Sequence, residues 1–153
     1  MLHCVDQLKS EKEMSIPTIL DQFPTPPCAT LLGLDILEAE RGSGRVKIAF
    51  TAAPEFCNAA GNVQGGFLSA MLDECMGPAV LIATDAQAFP STIDLNVQFL
   101  APAKPGKLFG TARVVQLGKT IAFVESELAD PSGKTVARAT ASVRITATHK
   151  ALV

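Results

Sequence analysis

The sequence predicts an α+β fold in which an antiparallel sheet of about six strands wraps around one long central helix. Three observations predict it. The stretch Asn58 to Ile82, NAAGNVQGGFLSAMLDECMGPAVLI, leads from a glycine-punctuated loop into the most apolar long segment of the chain. Two strand-like runs precede that segment and four follow it, mostly joined by short turns. Hairpin-connected strands give an antiparallel sheet, which needs a cover on one face, and the apolar helix is the only candidate for it.

Taken in order, residues 1–14 read as a polar, loosely helical tail and residues 149–153 as a second tail, which leaves 15–148 as a single domain. Ser15, Ile16 and Pro17 read as a helix start, with an amphipathic stretch to about Phe23 that Pro24, Pro26 and Pro27 end. Leu34 to Glu40 is the first strand and Gly42 to Gly44 the turn after it. Arg45 to Thr51 then alternates, with Val46, Ile48 and Phe50 inward and Arg45, Lys47 and Ala49 outward. Pro54 to Gln64 is loop.

The long helix starts at Gly65 and runs to about Thr84, with Phe67, Met71, Cys75 and Ile82 near one face. Pro78 inside it removes a backbone donor and should kink the helix without ending it. Ser91 to Leu100 follows, with Ile93, Leu95, Val97 and Phe99 on one face, and the segment APAKPG breaks it. Lys107 to Gln116 and Thr120 to Ala129 flank a turn at Leu117 to Lys119. After the turn Asp130 to Gly133, the run Lys134 to Thr148 closes the set, with Val136, Val143 and Ile145 apolar.

Composition narrows the function. At 153 residues the chain has the size of one ordinary domain with a real core. Thirteen basic against 15 acidic residues give a formal charge of −2, without the basic excess of a nucleic-acid binder. Aromatics are only 5% and Trp and Tyr are absent, so base-stacking platforms are scarce. Cys4, Cys28, Cys57 and Cys75 form no CxxC pair and read as reduced thiols, with no metal site expected. The N-terminus lacks the basic flank and apolar run of a signal peptide, and Asp73 and Glu74 interrupt the longest apolar segment. A soluble cytoplasmic protein that engages no membrane is the expectation.

The two histidines, His3 and His149, lie one in each tail, which argues against a nucleophile–histidine triad. Acid–base work at neutral pH then falls to carboxylates or to water they activate. Asp73 stands among buried neighbours, where an unpartnered charge costs roughly several kcal/mol. On the residues alone it is either a functional group or a structural one that caps or pairs within the core. Glu74 points about 100° away, toward solvent or an interface. Gly61, Gly65 and Gly66 allow close backbone approach, and a helix starting near Gly65 aims unpaired N–H groups forward. Such an end can bind a phosphate or polarise a carbonyl, or it can be a plain tight turn. The Lys-Ser/Thr of a nucleotide P-loop is missing.

Together, Asn58, Gly61, Gln64, Gly65, Gly66 and Asp73, in the form NxxGxxQGGxxxxxxD, resemble the motif NxxGxxHGGxxxxxxD of hotdog-fold acyl-CoA thioesterases related to the phenylacetyl-CoA thioesterases. The resemblance covers about residues 28–147 and includes STIDLNVQFLAPAKPG and LGKTIAFVESEL. It implies a hotdog fold and hydrolysis of an acyl-CoA to a free acid and coenzyme A, which is part of the substrate, with no separate cofactor. By the same resemblance, Asp73 matches the catalytic carboxylate, a general base on water or a nucleophile. The Gly65 N–H matches the group that polarises the thioester carbonyl, Asn58 lies beside the reacting centre, and Thr92 helps hold the water.

Gly66, Phe67 and Met71 are the candidates for substrate binding, and Phe67, Met71, Phe89 and Phe99 either shape the pocket or pack the core. Enzymes of this kind are homodimers, often paired into tetramers, so that Asp73 of one subunit would meet Gly65 of its neighbour and a monomer would be inactive. Gln64 replaces the usual histidine; it can donate an amide hydrogen bond but cannot titrate near neutral pH. Lys104, Lys107, Arg113, Lys119 and Arg144 are either partners for the coenzyme A phosphates or ordinary exposed charges. Two other readings are an enoyl-CoA hydratase, which calls for a paired Asp and His, and a non-catalytic acyl-CoA binding protein.

Overall fold

The computed structural model describes residues 19–151. The two tails' outer residues and the helix start at Ser15 lie outside the described residues. The chain opens with a 3-10 turn, Ile19–Gln22, and then runs α1 (Pro27–Leu31), β1 (Asp35–Glu40), β2 (Arg45–Ala52), a second 3-10 turn (Pro54–Phe56), α2 (Gly65–Ala83), β3 (Ala88–Phe99), β4 (Gly106–Leu117), β5 (Ile121–Ala129), β6 (Thr135–Ala147) and α3 (Thr148–Ala151). The short α1 was not expected. Pro27 opens it rather than ending a helix, because the first turn leaves its N–H positions unused and proline has none to lose.

All strand pairs are antiparallel, in the order β1-β2-β4-β5-β6-β3, and the sheet packs on α2 as an α+β hotdog. β4, β5 and β6 form a meander. β3 leaves the helix and crosses to the far edge, where it pairs with β6. The edges of the sheet are therefore β1 and β3.

The core lies between α2 and the inner face of the sheet. Leu68, Leu72, Cys75, Met76 and Ala79 of the helix meet Ile48, Phe50, Leu108, Val124, Leu128 and Val143. The approach is close enough that a side chain at Gly110 would run into the Cys75 sulfur and the Phe50 ring. The predicted apolar face of α2 holds for Met71, Cys75 and Ile82, all buried, while Phe67 is half-buried and stacks on Phe56 at 4.1 Å between ring centroids.

α2 runs unbroken through Pro78, which leaves the Glu74 carbonyl without its helical donor. Its 19 residues are long and apolar enough to cross a membrane by length and composition alone. In this fold eight of them are buried in the core.

Two alternation expectations need correction. Ala49 does not face outward into solvent; it is buried, a small side chain flanked in register by Asp35 and Phe109. Ile93 is not in phase with Leu95 and Val97 on the core face, because a bulge separates them. Thr92 pairs with Val143 and Asp94 with Ser142, which leaves Ile93 as the extra residue, 58% exposed.

Candidate active site

The helix start is built by its own loop. Gln64 is the N-cap of α2, and its side-chain Oε1 accepts the Gly66 N–H at 2.7 Å. Its backbone N–H donates to Phe56 O at 2.8 Å, and the Val63 N–H donates to Ala103 O at 2.8 Å, so the loop is tied on both sides. Asn58 Oδ1 accepts the N–H groups of Ala60 (3.0 Å) and Asn62 (3.2 Å), while Gly61 supplies the positive φ of 73° that the turn requires.

These bonds decide which groups remain available. The Gly66 N–H is taken by Gln64, whereas the Gly65 N–H has no partner among the described residues. The Gln64 amide oxygen is thus engaged, and its two N–H donors make no hydrogen bond among the described residues. A Cβ at Gly65 would lie 2.9 Å from the tip of the Phe99 ring, so glycine lets that ring approach the helix start closely. Phe99 ends β3 and is 55% exposed, so its ring covers the helix start from one side only.

Asp73 is half-buried on the face of α2 that turns away from the core, and the Thr92 hydroxyl donates to its Oδ1 at 2.7 Å. The bulge makes this contact. In a regular strand Thr92 and Leu95, three residues apart, would point to opposite faces; with Ile93 interpolated, both face the helix.

Glu74 is also half-buried. Burial pushes its pKa above the ordinary value, the Cys28 thiol that donates to Oε2 at 3.7 Å opposes this, and the neighbouring Asp73 charge adds to it. Burial, followed by the Glu74 charge, drives the Cys75 thiol pKa strongly upward, which disqualifies it as a nucleophile.

The structure thus brings Asp73 and Thr92 together, and it places Gln64, Gly65, Gly66 and Asn58 at the other end of the same helix. Asp73 and Gly65 are eight residues apart, about 12 Å along the axis, and no single thioester carbonyl in one chain reaches both. Met71 is enclosed in the core instead of lying on the open face. Among the basic candidates, Arg113 is paired with Glu125 at 2.5 Å, while Lys104, Lys107, Lys119 and Arg144 are exposed. A concavity of about 1070 Å³ lies on the outer face of the sheet, lined by charged residues such as Arg45, Arg113, Glu127 and Arg138, and Asp73 does not line it. No cluster of three or more metal-binding side chains occurs among the described residues.

Sequence reasoning missed three contributors: the Cys28–Glu74 contact, the Phe99 ring against Gly65, and the bulge that aims Thr92. Only the last left a signal, since a helix-facing Thr92 and an inward Leu95 have incompatible parity in a regular strand.

The thioesterase superfamily model matches residues 60–137. Human acyl-coenzyme A thioesterase 13 is 31% identical over 97 residues, which cover 62% of this chain and 69% of that protein. The phenylacetic acid degradation-related protein of Ralstonia eutropha JMP134 superposes with a TM-score of 0.77 at 36% identity, covering 82% of this chain and 95% of that one. The E. coli PaaI protein, from the phenylacetic acid degradation operon, gives a TM-score of 0.73 at 26% identity, with 80% and 87% covered. The match spans the helix start, Asp73 and the strand that carries Thr92 and Asp94, and on that ground this chain belongs to the thioesterase superfamily.

Proposed function

We propose that the protein hydrolyses acyl-CoA thioesters, with Asp73 as general base. The observation that carries this reading is the 2.7 Å bond from Thr92 to Asp73. It fixes one carboxylate oxygen and leaves the other for a water, while the Thr92 oxygen can accept one of that water's protons. As the water oxygen attacks the thioester carbon, Asp73 takes its proton. The oxyanion is held by the Gly65 N–H and the Gln64 amide N–H, with the helix dipole behind them. Collapse expels the coenzyme A thiolate, which leaves with the proton returned from Asp73.

Because about 12 Å of helix separates Asp73 from Gly65, the complete site requires a second copy of the chain to bring its own helix start. The twelve-residue edge strand β3, exposed along much of its length, supports a homodimer formed there, alone or within a tetramer. Gln64 stands where relatives of this motif type carry histidine, and in this scheme it supplies a donor that does not titrate.

The test is release of free thiol from aromatic, short-chain and long-chain acyl-CoAs. Asp73→Asn should lower kcat by about a thousandfold with the oligomer intact, in the range general bases supply. A wild-type protein that releases no thiol from any of them ends this reading. Tight acyl-CoA binding by calorimetry without turnover would replace it with a binding function.

A further inference from the structure

Asp94 lies on the opposite face of the sheet from Asp73, beside Asn96 and Gln98, and touches nothing that reacts. Its Oδ1 nevertheless accepts the backbone N–H of Ser142 on β6 at 3.1 Å, directly beside the extra residue Ile93. We propose that Asp94 is a positioning residue: its carboxylate pins the bulge that turns Thr92 toward Asp73. The inference rests on the hydrolase reading and deepens it.

The register carries the argument. Leu95 faces Ala141 and Val97 faces Ala139, buried positions that hold this part of β3 on the core. Without the extra residue, Thr92 would share the outer face with Asn96 and Gln98, because one step of slip exchanges the faces. The hydroxyl would then lie across the sheet from its acceptor. Within one chain, a bulge on an edge strand has only one neighbour to hold it and interrupts the ladder where it occurs. Here a charge-assisted hydrogen bond from the neighbouring strand closes that interruption. Asparagine keeps an acceptor of the same reach, whereas alanine removes it.

The expected result is that Asp94→Ala lowers kcat about tenfold, within the hundredfold that a misplacement of about 1 Å can cost, with KM changed by less than about twofold. Asp94→Asn should restore nearly all of it. In a Thr92→Val background, Asp94→Ala should cost nothing further, because its effect passes through Thr92.

Exchange of the Ser142 amide, followed by NMR, should be about tenfold faster in Asp94→Ala and unchanged in Asp94→Asn. If Asp94→Ala does not fold, Asp94→Ser, too short to reach Ser142, takes its place. Equal losses with and without Thr92, equal behaviour of the alanine and asparagine variants, or unaltered Ser142 exchange would each overturn the proposal. A wild-type protein that releases no thiol would remove the hydrolase reading instead, and the exchange measurement would still report on the pin.

Discussion

The two long faces of α2 obey different rules. On the sheet side, Leu68, Leu72, Cys75, Met76 and Ala79 are fully buried, and the fit is tight enough to demand glycine at position 110 of β4. On the open side, Gly66, Ala70, Asp73, Glu74 and Gly77 are small or ionisable, and none is fully buried. The apolar side holds the helix in place. In the proposed hydrolysis, the other side carries the reacting carboxylate and faces the second copy.

The largest effect should come from Asp73→Asn, which attacks the open face at its reactive point. Thiol release should fall about a thousandfold while the melting temperature is unchanged or rises, since a half-buried charge is removed. A melting temperature lowered by several degrees would show that Asp73 holds the fold and would dissolve the distinction.

Gly77→Leu tests whether the open face awaits a second copy. Within one chain a Cβ at Gly77 would meet the Pro90 ring at 3.8 Å, an ordinary contact, and leucine improves helix propensity over glycine. Light scattering should find a folded monomer, with activity reduced by about a hundredfold or more as the composite site is lost. A fully active variant would remove the composite site.

Gly110→Ala tests the other face. The added methyl meets Cys75 and Phe50, so denaturant unfolding should show a loss of about 1–3 kcal/mol, while kcat of the folded protein stays near wild type.

The smallest effect concerns Glu74. Its folded pKa is raised above its unfolded value, chiefly by burial, so its contribution to stability is present below the ordinary glutamate range and is lost as pH rises through the raised value. Glu74→Gln should therefore raise the melting temperature at neutral pH by less than about 2 °C, a half-exposed group being well screened, and leave it unchanged near pH 3.5. A rise at low pH alone would reverse the assigned sign.

Much of this arrangement was legible in the sequence because it follows from periodicity. The 3.6-residue rhythm of Leu68 to Ile82 and the two-residue rhythm of Val46 to Phe50 each mark a buried face, and turn residues mark the ends. The site was legible only as a set of residues. That Asp73 meets Thr92 depends on one interpolated residue, and a strict two-residue reading placed Ile93 inward. That Gln64 caps its own helix depends on a side-chain torsion that no pattern encodes. Pro27, read as a stop, serves as a start, because proline fits the first turn of a helix as well as the end of a previous one.

The strand order also bears on how the protein comes to be active. β3 follows α2 in the chain, yet its only sheet neighbour among the described residues of one chain is β6, the last strand, so Thr92 lies opposite Val143. Contacts between residues so distant in sequence form slowly, because the intervening chain must be closed into a loop first. The β4–β5–β6 meander is local and can form early. The strand that carries Thr92 must wait for it, so on a growing chain the core can collapse around α2 while Thr92 is still unplaced. If Thr92 acts as proposed, the Asp73–Thr92 pair is completed late in folding, after most of the hydrophobic core is already in place.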